Sequence, residues 1–478
     1  MTSDLIDQLK GDLDAGSLDG EVSDELIAIL RGDPDVKKDW SSVRFGDAVE
    51  VLDGDRGSNY PSEGEFFEQG YCLFLSAKNV LNGRFSFEQK NFVTEEKDKA
   101  LRKGKLSRGD FVLTTRGTVG NYARFDEIIN YDNIRINSGM VILRPKSQFL
   151  DRLYFHYLLG SSTFRSSMET YSSGSAQPQL PIRDLSSIEI DLPPLHIQKQ
   201  IADLLSVFDK KIDLLRAQNK TLESIAQTIY KRWFVDFEFP MSKEDAQALN
   251  KPELAGQPYK SSGCKMKPSE LGKIPEQFSV EPFTLLIDLI ISGDWGKESP
   301  EEEYTEQVIC LRGTDLQDIK YSAKFRAPTR YVKSTKLSSG EVLSGDLVVE
   351  ISGGTEGQST GRISYVNKEF LNRINRKLIV SNFCKLVRPN DPTIYSFFYF
   401  AWQHLYNRGQ FFNFENGTTG IKNLNLKAFI NVPILSVNTE YVSMFCEFVN
   451  VQLERIQKNL EIMNLNIQAQ NLIKKKMI

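Results

Sequence analysis

The chain repeats itself across half its length, and each copy ends in a long apolar helical seam. The stretch WSSVRFGDAVEVL from Trp40 matches FSVEPFTLLIDLI from Phe278, 238 positions later. LSRGDFVLTTRGTVG from Leu106 matches LSGDLVVEISGGTEG from Leu343, 237 positions later. SSGSAQPQLPIRDLSSIEIDLPPL matches NGTTGIKNLNLKAFINVPIL, with Pro193 and Pro433 aligned 240 apart. Unrelated β-domains share turn residues, but they do not keep three blocks in one order at one separation. A duplicated module is the consequence.

After Pro193 and Pro194, which block earlier helical growth, apolar residues advance by alternating steps of four and three. They are Ile201, Leu205, Phe208, Ile212, Leu215, Leu222, Ala226, Ile229 and Trp233, with Asn219 the one polar member. Such a pattern over more than four heptads is a coiled-coil seam, and a single buried Asn in it fixes register at some cost in stability. Val442, Cys446, Val449, Leu453, Ile456, Leu460, Met463 and Ile467 repeat the steps in the second copy. Neither helix can leave its seam in water, so each is the other's simplest partner. The connecting segment is too short for a parallel return, which predicts antiparallel pairing. Pro240 is expected to close the first helix.

The expected organisation is therefore an acidic extension 1–38, a module 39–192, a spacer helix 193–238, a linker 239–275 rich in Pro, Gly, Lys and Ser, a second module 276–434 and a closing helix 435–478. The modules alternate short β runs with Gly, Asn and Ser turns. Examples are YCLFLS, DFVLTT and GMVILRP in the first, VICLRG, DLVVEI and FCKLVRP in the second. RLYFHYLL and YSFFYFAWQHLY read as helices packed on those sheets, their aromatic stripes belonging to the core. The fold class is α+β: two β-rich modules with packed helices, separated by an antiparallel two-helix coiled coil with approximate two-fold symmetry.

Charge and composition narrow the function. The formal net charge is −4. Residues 1–40 hold 11 acidic and 4 basic side chains, a net of −7, which leaves +3 for residues 41–478. The body permits nucleic-acid binding without demanding it. No run approaches the roughly 18 apolar residues of a membrane-spanning helix, and the start lacks the basic and apolar regions of a signal peptide, so a cytoplasmic location is expected. The five cysteines, Cys72, Cys264, Cys310, Cys384 and Cys446, are scattered with no CxxC pair and read as reduced core thiols.

Catalytic signatures are missing. The three histidines, His156, His196 and His404, have no second His at metal-ligand spacing and sit in aromatic or helical contexts. GDWGKES has the lysine of a phosphate loop without its glycine spacing, and neither GxSxG nor a strand-to-helix GxGxxG is present. No pair of cofactor loop and NPPY-type tetrapeptide marks an adenine methyltransferase. Asp346 and Glu350 lie on a strand as in some nucleases, but Ser352 stands where the lysine belongs. The chain is read as non-catalytic, with no metal site and no cofactor of its own.

What remains is binding chemistry. The duplicated loops TTRGTVGNYARF and ISGGTEGQSTGRISYV put amides, hydroxyls, glutamine and arginine on one rim, groups that suit phosphate and base-edge contacts. The candidate DNA-contacting residues are Arg56, Asn59, Tyr60, Arg116, Thr118, Tyr122, Ser173 and Gln177 in the first module, with Gln179 beside them. In the second they are Arg312, Ser352, Thr355, Gln358, Arg362, Thr418 and Lys422. Each loop taken singly is also compatible with a solvated turn.

Residues 192–240, LPPLHIQKQIADLLSVFDKKIDLLRAQNKTLESIAQTIYKRWFVDFEFP, closely resemble the central spacer of the specificity subunit of Type I restriction–modification systems. LGKIPEQFSV at 271–280 is similar to the lead-in of that family's second target-recognition domain, and the resemblance covers about 40–478. The closing helix is a looser match, VPILSVNTEY standing where the first copy has LPPLHIQKQI. Residues 1–38 have no place in the pattern; DELIAILRG within them reads as a short helix covering an interface.

The resemblance implies double-stranded DNA as ligand, a bipartite site read by two target-recognition domains, and a coiled coil whose length sets the unread gap. It further implies two methyltransferase (modification) subunits carrying S-adenosylmethionine, and motor–nuclease (restriction) subunits using ATP and Mg. The competing reading from the residues alone is an interaction scaffold, two ligand modules on a coiled coil without DNA. A self-contained methyltransferase or nuclease is disfavoured by the missing motifs.

Overall fold

The computed structural model describes residues 24–31, 33–172, 178–355, 357–417, 422–436 and 440–478. They divide into two units, residues 1–211 with 466–478, and residues 212–465.

In the first unit the central strand Met140–Pro145 pairs antiparallel with Val49–Asp53 on one side and Phe111–Thr114 on the other, and the latter pairs with Tyr122–Arg124. Alternate side chains on a strand point to opposite faces, and both faces here are buried. Phe111, Leu113, Val141 and Leu143 enter one apolar cluster with the helix Arg152–Leu159, while Val112, Ala123, Met140 and Ile142 enter a second. That is why DFVLTT and GMVILRP read as nearly continuous apolar runs. The second cluster is closed by a sheet in which Cys72–Leu75 pairs parallel with Ile134–Ile136 and antiparallel with Phe92–Val93. Ser41–Arg44 and Glu189–Leu192 close the module as an antiparallel pair.

The second unit rebuilds this plan. Cys384–Pro389 pairs antiparallel with Ile287–Ser292 and Leu347–Glu350, which pairs with Ile363–Tyr365. Tyr304–Leu311 pairs antiparallel with Thr329–Lys333 and parallel with Leu378–Val380, and Val280–Pro282 pairs with Pro433–Leu435. Strand order, direction and closing pair all match the first unit.

The Gly-Asp of the duplicated block has one job in both units. Gly109 and Gly345 take φ of +92° and +94°, a region glycine enters without strain. The following carboxylate then turns back onto its own loop: Asp110 accepts from the Ser107 amide at 2.8 Å and Asp346 from the Leu343 amide at 2.7 Å.

The two long helices are Leu195–Phe234 and Glu440–Met477. In the first unit Gln470 Nε2 donates to the Leu205 carbonyl at 3.3 Å and to Asp209 Oδ1 at 2.7 Å. In the second unit Asn219 faces Asn459, whose Nδ2 donates to Asn219 Oδ1 at 2.7 Å, and the Tyr230 ring packs on Phe445. Partner numbers fall as the first helix advances, so the pairing is antiparallel, as expected. Ile201, Leu205, Phe208, Ile212, Leu215, Leu453, Ile456, Leu460 and Met463 are buried in it, with Asn219 among them.

Four expected seam residues need correction. Leu222, Ile229 and Trp233 are only half-buried, and the buried face beyond Asn219 runs through Glu223, Ala226, Tyr230 and Phe234. An α-helix drifts about 20° per heptad against a strict 3.5 repeat. This stretch also packs on a second neighbour, the aromatic helix Tyr395–Asn407, with Phe234 edge-on to Phe397. Ile467 is likewise half-buried, the inward positions near it being Ala469 and Gln470. The first helix stops at Phe234, and Phe237 at φ +60° turns the chain before Pro240 is reached.

Residues 239–275 are folded instead of forming a loose tether. A helix Lys243–Ala248 and a hairpin Met266–Ser269/Gly272–Pro275 surround Phe239, which lies against Tyr259 and Tyr441. The acidic extension contributes a helix Asp24–Arg31, with Leu26 and Ile29 fully inside the first unit's main cluster.

Candidate nucleic-acid interface

In the first unit, strand Phe111–Thr114 delivers the Gly/Thr loop, and two neighbours fix it. The Arg116 amide donates to the Gly139 carbonyl at 3.2 Å, the Gly117 amide to Pro178 at 3.2 Å, and the Leu180 amide to Thr115 at 2.9 Å. The Thr114 hydroxyl caps the loop from below, accepting from the Asn121 amide at 3.0 Å and donating to the Thr118 carbonyl. The backbone is thus held while Arg116 and Thr118 stand exposed beside Gln179. Arg56 approaches the same turn, its Nη2 donating to the Ser138 carbonyl at 3.4 Å and to Asp53 at 3.2 Å.

Arg56, Arg116, Thr118 and Gln179 therefore gather around residues 138–139 and 178–180. The loop carrying Arg56 is anchored by Asp55, whose carboxylate accepts from the amides of Gly57 and Arg102, both at 2.7 Å. These bonds, the Gly57 one above all, hold its carboxyl below the usual range.

Asn59 and Tyr60 point elsewhere. Asn59 donates to the Ala100 carbonyl at 3.0 Å, and the Tyr60 ring meets Phe74 edge-on in a small satellite core. Tyr122 is a correction to the expected rim: it is 4% exposed, packed under Gly160 and beside the His156 ring. Its phenol therefore stays in the core. Strand alternation decides this, because Leu113, directly opposite Tyr122, faces the same cluster. Ser173 and Gln177 lie outside the described residues, as does Thr418.

The second unit repeats the construction with a ribbon. Ser352–Gly353 pairs with Lys422–Asn423, and Glu415–Asn416 pairs with Asn423–Leu424. Thus the Gly/Thr loop again meets the segment that precedes the module's last strand. Thr355 and Gln358 face each other across an exposed turn, and Ser352 is half-buried.

The cations are engaged by acids. Arg362 chelates Glu350 through Nε at 2.8 Å and through Nη2. Arg312 grips Asp315 with two bonds of 2.8 Å, and Lys422 Nζ lies 3.0 Å from Glu415 Oε2. Each carboxylate keeps its arginine charged by raising its pKa further. Glu350 and Asp346, the strand carboxylates of nuclease-like spacing, are each saturated by an arginine.

Two rim residues went unnoticed in the sequence. Arg165, on the helix Ser162–Thr170, bonds Asn82 at 2.9 Å and lines a cavity of about 400 Å³ with Thr118 and Ser172. Asn423 stands exposed in the ribbon. The block alignment of SSGSAQPQ with NGTTGIKN was the available signal for the second; a lone arginine in a Ser-rich helix offered none for the first.

The family model of the Type I restriction modification DNA specificity domain matches residues 37–224. Residues 37–224 thus resemble a Type I restriction–modification DNA specificity domain. Its curated relatives include the MjaIX specificity subunit of Methanocaldococcus jannaschii, 29% identical over 44% of this chain and 47% of that one. Another is the HindI specificity subunit of Haemophilus influenzae, 26% identical over 50% of this chain and 49% of that one. The chain thus spans about half the length of these relatives. A crystal structure of a Type I restriction–modification S subunit from M. genitalium aligns over 91% of this chain and 96% of that one at 15% identity, TM-score 0.48. The specificity domain holds the first rim whole. The second module lies beyond the matched residues, and its kinship to the specificity domain rests on the repeated strand order and Gly-Asp turn.

Proposed function

We propose that this chain is the DNA sequence-specificity subunit of a Type I restriction–modification complex, acting in the cytoplasm. Modules 39–192 and 276–434 each read one half of a bipartite site, and the paired long helices set the unread gap. Catalysis belongs to partners: methyltransferase subunits with S-adenosylmethionine and motor–nuclease subunits with ATP and Mg. The observation that carries this reading is the specificity domain at 37–224, whose strand plan recurs in the second unit. Among the described residues no helix is long and apolar enough to cross a membrane. Arg56, Arg116, Thr118 and Gln179 form the first contact group, and Ser352, Thr355, Gln358 and Asn423 the second, with Arg312, Arg362 and Lys422 at its edge.

The chain should be co-expressed with a methyltransferase subunit and the methylated sites mapped. Two short half-sites separated by a fixed gap are expected, and replacing 39–192 by another module should change one half alone. Loss of both halves on that exchange, or no methylation in any combination, would favour a scaffold without DNA.

A further inference from the structure

The internal repeat lets each unit serve as a control for the other. At the offset of 240 that aligns Pro193 with Pro433, Asn219 coincides with its own partner Asn459. Asp151 and Asp391, each accepting from the amide two residues on, also stand 240 apart. The same offset carries contacts across. Gln470 meets Leu205 in the first unit as Tyr230 meets Phe445 in the second. Lys474 lies 5.1 Å from the centre of the Tyr157 ring, as the Phe234 ring does from that of Phe397. Each module thus presents one ring, Tyr157 or Phe397, to the equivalent place on its helices.

What surrounds that ring differs. The Tyr157 hydroxyl donates to Asp209 Oδ2 at 2.7 Å, and Gln470 Nε2 donates to Asp209 Oδ1 at 2.7 Å. For Tyr157, Asp209, Gln470 and Lys474 the second unit has Phe397, Val449, Tyr230 and Phe234, all buried. The second unit keeps its acid elsewhere. Buried Glu223 accepts from the hydroxyls of Tyr321 and Tyr399, while Lys320 Nζ lies 3.7 Å from Glu223 and donates to Tyr399 at 2.8 Å. Gln457 reinforces this seat with a bond of 2.9 Å to the Ile319 carbonyl, where the first helix has Ala217. The equivalents of Glu223 and Tyr399 are Met463 and Leu159, both buried and apolar. After the strand Cys72–Leu75 the first module continues in the hairpin Val80–Leu81/Arg84–Phe85, where the second has the helix Leu316–Tyr321.

A buried carboxylate deprived of a donor loses more than a satisfied one gains over an apolar pair. Each unit also shows that the other's acid has an apolar alternative on the same scaffold. The acids therefore contribute discrimination more than stability. Set against Asp209, the second module would bring Phe397, which has no hydroxyl; set against Glu223, the first would bring Leu159.

We propose that Asp209 and Glu223 key the two modules to different seats on the paired helices. A module is accepted at Asp209 only with a phenol at the position of Tyr157, and at Glu223 only with one at the position of Tyr399. The keys concern how modules mount on the helices, so they stand whether or not the modules read DNA, and they limit which donor modules can replace 39–192.

The test compares the full chain with one in which 39–192 is replaced by a second copy of 276–434, both long helices being kept. Asp209→Val gives the first seat the side chain of the second. In the parent it strands the Tyr157 hydroxyl and is expected to lower the melting temperature by about 2–4 °C. In the exchanged chain it removes a carboxylate that faces a phenylalanine, and a rise of about the same size is expected. A residue that merely fills space does not reverse sign in this way. Should the exchanged chain not fold, a cycle in the parent decides. Tyr157→Phe is expected to speed amide exchange in Arg152–Leu159 by about tenfold, the fold-change of one hydrogen bond to a charged group, and to lose that effect once Asp209→Val is present. Tyr399→Phe should do the same in Tyr395–Asn407 and leave Arg152–Leu159 alone. The proposal is overturned if Asp209→Val shifts both chains in one direction, if Tyr157→Phe acts equally with and without Asp209→Val, or if exchange in Arg152–Leu159 does not respond to Tyr157→Phe.

Discussion

Arg144 holds Asp110 by two parallel bonds, Nε to Oδ1 at 2.8 Å and Nη2 to Oδ2 at 2.9 Å, and Arg388 holds Asp346 by two of 2.8 Å. In each unit the aspartate ends the Gly-Asp turn and the arginine stands in the Arg-Pro that ends the neighbouring strand. The clamp therefore ties the turn that starts the rim-bearing strand to the strand beside it. Each carboxylate raises its arginine's pKa, so the guanidinium stays charged.

Arg388→Ala is expected to cost about 3–5 kcal/mol, because Asp346 is 2% exposed at its side chain and would be left as a buried charge with the Leu343 amide but no cation beside it. Arg144→Ala should cost less, roughly 1–3 kcal/mol: Asp110 is as buried as Asp346, but Arg144 is 41% exposed at its side chain against 23% for Arg388, so water already screens the pair. Urea unfolding measures both. Equal losses from the two substitutions, or none from Arg388→Ala, would contradict the clamp's role.

Asn219 and Asn459 pair inside the helix seam, with Asn219 Nδ2 also 3.4 Å from the Ile456 carbonyl. Replacing either by Leu strands the other amide in an apolar seam, at about 1–3 kcal/mol. Replacing both removes the unmet polar groups, so the double variant should be more stable than either single one. A double-mutant cycle reads this as a coupling of about 0.5–3 kcal/mol; strict additivity would mean that the two amides do not depend on each other.

The duplication, the antiparallel pairing and the polar position at Asn219 were legible in the sequence because each is a matter of order and spacing. The seam beyond Asn219 was not. A heptad count follows one partner helix, whereas Glu223 and Tyr230 also meet the aromatic helix Tyr395–Asn407: Glu223 with Tyr399, 3.7 Å from Lys320 Nζ, and Tyr230 with Phe397. Rim residues were legible as loops only. Whether an arginine reaches outward like Arg116 or folds onto a carboxylate like Arg362 depends on acids distant in sequence or on the opposite face of a strand. Tyr122 was misplaced for a simpler reason: a loop motif ran on into a strand, where alternation takes over.

His156 carries a pH prediction. Its imidazole packs among Tyr122, Phe111 and Tyr157, and burial, helped by nearby Arg124, pushes its pKa down from 6.5 to about 4. The fold thus holds the neutral form, while the unfolded chain takes up a proton near pH 6.5. The stability is complete above that pH and is lost as pH falls from 6.5 towards 4, by at most about 3 kcal/mol. His156→Leu should lose stability less steeply than the parent over that window in urea titrations at pH 7, 6, 5 and 4.5. Parallel curves would show that the histidine is protonated in the fold.

Arg116 and Gln358 test the division of labour between the rims. Arg116 is exposed on a loop whose backbone is pinned to Gly139 and Pro178, and Gln358 is exposed on the turn opposite Thr355. Neither substitution by Ala removes a core contact, so melting should be unchanged within about 0.5 kcal/mol. With the methyltransferase partner present, Arg116→Ala should relax or weaken only the half-site read by 39–192, and Gln358→Ala only the half-site read by 276–434. If Arg116 contacts a base edge, the loss is about 1–3 kcal/mol and selective at one position; if it contacts phosphate, binding falls evenly across sequences and the salt slope drops by about 1. Methylation mapping with binding at several salt concentrations separates these outcomes. A change in both half-sites from either substitution would contradict independent reading by the two modules.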